Sequence, residues 1–314
     1  MKSKTYNGNT PARGLLKQGP MTLPTTYRLR QRIGAGGMGE VYLAEHRGRA
    51  VAVKLLLPRL ATDAGAVARL AAEAAALSRI DHDNVVGLVA AGPSWLVMEH
   101  AGNRTLADLI ADESPLPVDR AMALCDQVLA GLAAAHAAGV VHADLKSDNI
   151  MVEQLPDGSE RVRLVDFGLA RLMDAPSKPA NRDSGSRPPL YGTPEYLAPE
   201  LVLGSAASPA SDVYAVGCLL HELLAGTTPF AGGTPVEVLQ SHLKEDPEPV
   251  AARCPVRKVP AALEAVIVRA LEKRPDQRIA SAAQLREALA AVSSPSPRLA
   301  SIRAAAHRRR KRAA

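Results

Sequence analysis

The chain changes character at Gly102–Asn103, and that change limits the folds open to it. Before the break, Tyr27, Leu29 and Ile33 suggest one strand, Val41–Ala44 a second and Ala50–Leu56 a third, with tight turns between them, one around His46–Arg49. Val67, Leu70, Ala74, Leu77 and Ile80 then recur every three or four residues, which predicts a helix carrying Glu73. Val85–Val89 and Trp95–Met98 are two further strand candidates. After the break, Leu106–Ala111, Val118–Ala138, Ser211–Leu224, Ala261–Lys273 and Ala282–Val292 all have helical spacing and abundant alanine. Gly139 is placed to cap the second of these. At 314 residues the chain exceeds the roughly 250 at which single cores tend to split, so two lobes are expected.

The ends read differently. Residues 1–26 hold Gly, Pro, Asn and Thr without periodicity and are expected to be a flexible lead-in. Residues 293–314 open with SSPSP and close in arginines, a composition expected to stay disordered. These ends also carry the formal charge of +6: residues 27–292 have 27 basic and 32 acidic side chains, a net of −5. No DNA-binding surface is expected in the core. The run from His307 to Arg312 could meet an anionic membrane, nucleic acid or an acidic partner, or simply be solvated. Cys125, Cys218 and Cys254 are odd in number and widely spaced, which suits neither a disulfide framework nor a zinc site. No apolar stretch reaches the roughly 20 residues of a membrane span. A soluble protein in the reducing cytoplasm is expected.

Several short runs carry chemistry. Gly34, Gly36 and Gly39 form G-x-G-x-x-G between two predicted strands, where a hairpin could fold over phosphates. Taken alone, the run also suits a ligand-free turn. Lys54 stands in VAVK, an apolar strand in which an ammonium needs an anionic partner. Glu73 could supply one and nucleotide phosphates a second, unless the lysine snorkels from an edge strand. HADLKSDN, 142–149, is a polar loop between apolar segments, and DFG, 166–168, ends another apolar segment at Leu164–Val165. Such a loop can be no more than an Asx-rich turn. In order, however, the runs meet the needs of a nucleoside triphosphate: a backbone cradle, a cation, oxygen ligands for magnesium, and a carboxylate aimed at an incoming hydroxyl.

Together these runs resemble the eukaryotic-type (Hanks-type) Ser/Thr protein kinases found in bacteria, and GAGGMGEVY is close to that group's glycine loop. The resemblance covers about Tyr27 to Val292. It implies an α+β, bilobal protein-kinase-like fold, with a small antiparallel-sheet lobe bearing one main helix over residues 27–100 and a larger, mainly helical lobe over 101–292. It implies transfer of the γ-phosphoryl group of ATP to protein Ser/Thr hydroxyls, with Mg2+ or, as a substitute, Mn2+. Ile33, Gly34, Gly36 and Gly39 would cover the nucleotide, with Met38 at the loop tip, and Lys54, paired with Glu73, would hold its α- and β-phosphates. Val41, Ala52 and Met151 would sandwich the adenine beside the gatekeeper Met98, whose neighbours Glu99 and Ala101 would read the base edge by backbone. Asp144 would be the catalytic base, Lys146 the phosphate neutraliser, and Asn149 and Asp166 the metal ligands. Leu77, Leu88, His142 and Phe167 would stack as a spine anchored by Asp212.

Lys146 and Thr193 in GTPEYLAPE, 192–200, resemble the Ser/Thr class, and the latter run separates protein kinases from small-molecule relatives. Glu200 would pair with Arg278. Protein substrates are implied as partners, and pairing of two copies through the small lobe is a property of related bacterial kinases. The other readings are an ATP-binding scaffold without transfer and a small-molecule phosphotransferase of related fold. One departure stands out: His142-Ala143-Asp144 replaces the usual His-Arg-Asp. The absent arginine normally tethers a phosphate on the activation segment, so activity is expected not to need phosphorylation of Ser177, Ser184 or Ser186. The turns after Ala44 and over Ala90–Ser94 are also short. Cys218 is expected in the core, His82 in a structural turn, and His136, His221 and His242 show no ligand spacing. The Ser-Pro pairs at 294–297 and Ser301 are candidate autophosphorylation sites.

Overall fold

The computed structural model describes residues 23–173, 193–256 and 258–293. Five strands, β1 (Tyr27–Ala35), β2 (Gly39–His46), β3 (Arg49–Leu56), β4 (Leu88–Gly92) and β5 (Trp95–Glu99), form one antiparallel sheet in the order β1-β2-β3-β5-β4. The β2–β3 turn needs only Arg47 and Gly48, both at positive φ (50° and 76°), the two-residue hairpin geometry whose twist matches the strands it joins. In β3, alternation puts Val51, Val53 and Leu55 on the outer face with Tyr42 and Val97, and Leu56 on the inner face with Leu70, Leu77 and Leu96. Lys54 shares the parity of Leu56, so it points to the inner side.

α1 (Ala64–Leu77) packs on that inner face, started by Asp63, whose carboxylate accepts from the Ala66 amide at 2.6 Å. The outer face is closed by Leu23, only 5 % exposed. This corrects the expectation of a flexible lead-in through residue 26. Leu23 joins the outer cluster, the Tyr27 amide donates to Pro24 O at 3.0 Å, and His46 Nδ1 lies 3.3 Å from Thr26 O. An apolar sheet face needs a cover, and the segment just before β1 supplies it.

The larger lobe contains α2 (Leu106–Glu113), α3 (Val118–Ala137), β6 (Val140–Val141), β7 (Ile150–Gln154), β8 (Glu160–Leu164), β9 (Arg171–Leu172), α4 (Pro199–Val202), α5 (Pro209–Ala225), α6 (Pro235–Lys244), α7 (Val250–Arg253), α8 (Ala261–Ala270) and α9 (Ala282–Ser293). α5 is its axis. Val213, Tyr214, Val216, Cys218, Leu219, Leu220, Leu223 and Leu224 are all fully buried, an all-round apolar helix that only a lobe interior can hold. It starts at the Ser208–Ser211 capping box with Pro209 in its first turn, stops at Gly226 (φ 82°), and packs against α3, α7, α8 and α9. α3 ends likewise, with Gly139 at φ 75° one residue past its cap.

Three differences from expectation have physical causes. The strand expected over Val85–Val89 begins instead at Leu88. Val85 and Val86 are apolar because they dock on the larger lobe, Val85 bridging Leu164 and the Val86 amide donating to Leu164 O at 3.0 Å. The β7–β8 hairpin was visible only at its apolar ends, since Glu153, Arg161 and Arg163 alternate with Val152, Val162 and Leu164. α6 was not anticipated, although Thr234, Pro235 and Glu237 make a capping box at its start. His82 is structural as expected, its ring Nδ1 accepting from the Asn84 amide at 3.1 Å. The next residues press so closely on α3 that a Cβ on Gly131 would lie 2.8 Å from Asn84 O. In an open helix Gly→Ala stabilises by about 1 kcal/mol. Here Gly131→Ala is expected to destabilise by about 1–3 kcal/mol, read as a lower urea midpoint.

Candidate active site

Strand register assembles the residues expected on the nucleotide side of the cleft. Gly34 pairs with Val41, Val41 with Lys54, and Ala52 with Met98, so the expected roof, lysine and gatekeeper lie across adjacent strands. Met98 and Ala101 are buried, Val41 and Met151 half-buried, and Ile33 41 % exposed at the end of β1. The Glu99 amide is spent on Gly87 O at 2.9 Å, which leaves its carbonyl as the group to face a base. Gly39 is required by close approach, since a Cβ there would sit 2.3 Å from Leu55 O. The loop tip is held down by the Leu57 amide donating to Met38 O at 3.0 Å.

Lys54 Nζ donates to both oxygens of Glu73, at 2.9 and 2.8 Å, and to Asp166 Oδ1 at 2.9 Å. Glu73 is 2 % exposed, so the pair is one of the few charged contacts taken out of water in the smaller lobe. The contact to Asp166 was not foreseen. Burial pulls the Lys54 pKa down, but the two carboxylates outweigh it and the net shift is upward; the lysine is a cation. Burial pushes Asp166 up, and the charge and hydrogen bond of Lys54 reverse this to hold it below the usual aspartate value. Asp166 itself has φ 61°, a left-handed conformation that turns its carboxylate back toward Lys54.

On the acceptor side, Lys146 Nζ lies 3.5 Å from Asp144 Oδ2 and donates to Thr193 Oγ1 at 2.9 Å. Asn149 Nδ2 donates to Asp144 O at 2.8 Å and lies 3.3 Å from Oδ2. Its amide nitrogen being spent there, its oxygen is the group left to act as a ligand. Asp144 is held above the ordinary aspartate pKa by burial, against the pull of the Lys146 and His142 side. Among the described residues no three His, Cys, Asp or Glu side chains could hold a metal by themselves. Asn149 and Asp166 offer only oxygen, the donor set of a hard divalent cation that completes its shell with phosphate oxygens and water. The site fits such an ion.

The backbone beneath Asp144 is fixed by Asp212, whose carboxylate accepts from the amides of His142 and Ala143, both at 2.9 Å. This carboxylate anchors a strained segment, because Ala143 has φ 64°. His136 Nε2 lies 2.8 Å from Asp212 Oδ2, so a histidine that had no visible pattern in the sequence braces the anchor. Its signal is three-dimensional only. Of the expected spine, His142 and Phe167 have ring centroids 4.6 Å apart, while Leu77 and Phe167 belong to the large core cluster against which Leu88 packs. Glu200 and Arg278 pair at 2.9 Å. Ser147, Tyr196 and Glu222 form a further network that sequence reading did not single out. Ser177, Ser184, Ser186, the Ser-Pro pairs, Ser301 and the basic run at 307–312 lie outside the described residues.

Comparison with known proteins agrees with this geometry. The family described as "Protein kinase domain" matches residues 27–289. "Serine/threonine-protein kinase pkn3" of Myxococcus xanthus is 37 % identical over 86 % of this chain and 50 % of its own length. "Serine/threonine-protein kinase pkn2" of the same organism is 37 % identical over 89 % of this chain and 34 % of its own. "Serine/threonine-protein kinase PknB" of Mycobacterium tuberculosis is 34 % identical over 88 % of this chain and 44 % of its own. The chain thus spans between a third and a half of the curated relatives it matches. A match that covers the glycine loop, the lysine, the catalytic loop and the segment after it, on a fold that brings all four to one cleft, settles the family: this chain belongs to the protein kinases.

Proposed function

We propose that this chain is an ATP-dependent serine/threonine protein kinase. The observation that carries the reading is the convergence of Asp144, Lys146 and Thr193, with a carboxylate and an ammonium 3.5 Å apart and a hydroxyl 2.9 Å from the ammonium. An acceptor hydroxyl placed beside Asp144 would be oriented by that carboxylate and give up its proton to it as its oxygen bonds to the γ-phosphorus and the bond from that phosphorus to the β,γ-bridging oxygen breaks, releasing ADP. Lys146 would offset charge on the transferring group, and Lys54, fixed by Glu73, would hold the α- and β-phosphates. Asn149 and Asp166 would hold Mg2+, or Mn2+ in its place. When bound, such an ion would supply charge neutralisation for the phosphates. Lys54 bonds Oδ1 of Asp166, and the other carboxylate oxygen would remain for the ion. The relatives' names and the Thr193 segment support protein Ser/Thr side chains as acceptors. The test is transfer from labelled ATP: label on Ser/Thr of a generic protein supports the reading, label only on a small-molecule acceptor makes the chain a small-molecule phosphotransferase, and ATP binding without transfer makes it a scaffold.

The same proposal includes activity without activation-segment phosphorylation. With Ala143 in place of arginine, the only group Asp212 positions at 143 is a backbone amide, and no guanidinium extends from this loop toward a phosphate. Phosphatase-treated protein is expected to keep its acceptor-phosphorylation rate within about twofold, against the much larger losses seen when an ordering phosphate is needed. Inactivity of the phosphate-free form, with activity restored on rephosphorylation, would overturn this.

A further inference from the structure

We propose that Ser147 is a positioning residue for the protein acceptor, tying the catalytic loop to the segment that carries Thr193. Ser147 is 2 % exposed and opens the short 3-10 turn Ser147–Asn149. A hydroxyl so buried must find partners inside the fold, and it finds them on two other elements. Its Oγ lies 2.9 Å from Tyr196 OH and 3.4 Å from Glu222 Oε1, and its one proton is within reach of either oxygen. Tyr196 OH in turn donates to Glu222 Oε2. Tyr196 ends the turn Pro194–Tyr196, whose first bond runs from its amide to Thr193 O at 3.1 Å, and Glu222 stands on α5. The three side chains therefore join catalytic loop, acceptor segment and lobe axis at one point.

The register matters because Lys146 precedes Ser147 and contacts Thr193 itself. Two consecutive residues of the catalytic loop thus grip two residues of the acceptor segment, one by a charged group in the cleft and one by a hydroxyl behind it. Nothing in the local turn requires a hydroxyl at 147, since the Asn149 amide already closes on Lys146 O at 3.0 Å. The nucleotide side is built from Lys54, Glu73 and Asp166, and none of their described hydrogen bonds involves Ser147, Tyr196 or Glu222. Loosening the tie should therefore misplace the acceptor hydroxyl relative to Asp144 and leave ATP binding as it was. This inference rests on the kinase reading above.

The experiment compares the wild-type chain with Ser147→Ala, Ser147→Thr, Tyr196→Phe and the Ser147→Ala/Tyr196→Phe double variant, using labelled ATP and a generic protein acceptor. Ser147→Ala is expected to lower kcat/KM for the acceptor about tenfold, a modest share of what misplacement by an ångström costs. KM for ATP and the slow hydrolysis of ATP by water should stay within about twofold. Ser147→Thr, which keeps the hydroxyl, should recover most of the loss. The double variant should be no worse than the worse single one, because both remove the same tie. An unchanged acceptor kcat/KM in Ser147→Ala, a parallel loss in KM for ATP, or additive losses in the double variant would each overturn the proposal. If wild type phosphorylates the acceptor no faster than Asp144→Asn does, the kinase reading fails and this inference falls with it.

Discussion

Asp144→Asn is expected to lower kcat for acceptor phosphorylation by about 10²–10⁴-fold, the range of a lost general base, with KM for ATP nearly unchanged. Asparagine keeps the shape of the side chain and the backbone carbonyl that Asn149 uses. What it loses is the negative charge facing the acceptor and Lys146. Stability separates this outcome from misfolding. Burial raises the Asp144 pKa, so the folded state binds its proton more tightly than the unfolded chain does. The charged form therefore weakens the fold as pH rises through the window between the two values. Neutral asparagine should match or exceed wild type in thermal midpoint at pH 7. In wild type, kcat/KM should rise with pH along an acid limb lying above the ordinary aspartate value of 3.8, and the variant should lack that limb. Transfer rates equal in the two proteins would remove Asp144 from the mechanism.

The second large effect is structural. The Arg278 side chain is fully buried, and its two terminal nitrogens meet Glu200 at 2.9 and 3.0 Å. It also donates to Ala210 O, Glu272 O and Lys273 O at 2.7, 2.9 and 3.2 Å and stacks 4.9 Å from the Tyr214 ring centroid. Ser211 Oγ gives Glu200 one more bond at 2.8 Å. Arg278→Met keeps the volume but strands a buried carboxylate and three carbonyls, which should cost about 3–5 kcal/mol. For a lobe of this size that is a fall of about 10 °C in Tm. Arg278→Met with Glu200→Gln should recover part of it, because the orphaned charge is gone. Burial raises Glu200, but the Arg278 hydrogen bonds and charge bring it below its ordinary 4.5. The pair's stabilisation is thus present above pH 4.5 and lost as pH falls through the lower folded-state value, so the gap between wild type and variant should narrow in acid. A constant gap across that window would show that lost packing, not the ion pair, sets the effect.

Residues proposed to meet the nucleotide and the acceptor could be read from the sequence because each has a chemical reason to be polar where its neighbours are apolar. Lys54 in VAVK and Asp166 after Leu164–Val165 are of this kind. Residues that serve those residues carry no such mark. His136 is one polar position in an alanine-rich helix until α5 brings Asp212 within 2.8 Å. Ser147 looks like any loop serine until Tyr196 and Glu222, 49 and 75 residues onward, close around it. The fold divides the same way. Helices with an apolar stripe were legible, whereas Val85–Val86 reads as strand because docking on another lobe demands the same residue types. Leu23 reads as linker because one buried leucine has no period.

Asp212 gives the catalytic loop a property that its irregular backbone does not suggest. The amides of His142 and Ala143 end on a carboxylate whose helix is enclosed on every side. Freeing them from that acceptor means moving α5 or breaking two charge-assisted bonds at once, so this stretch opens with the interior of the lobe and not with its surface. In hydrogen-exchange terms the amides of His142 and Ala143 are expected to exchange with the buried helix that holds them, more slowly than those of an exposed loop.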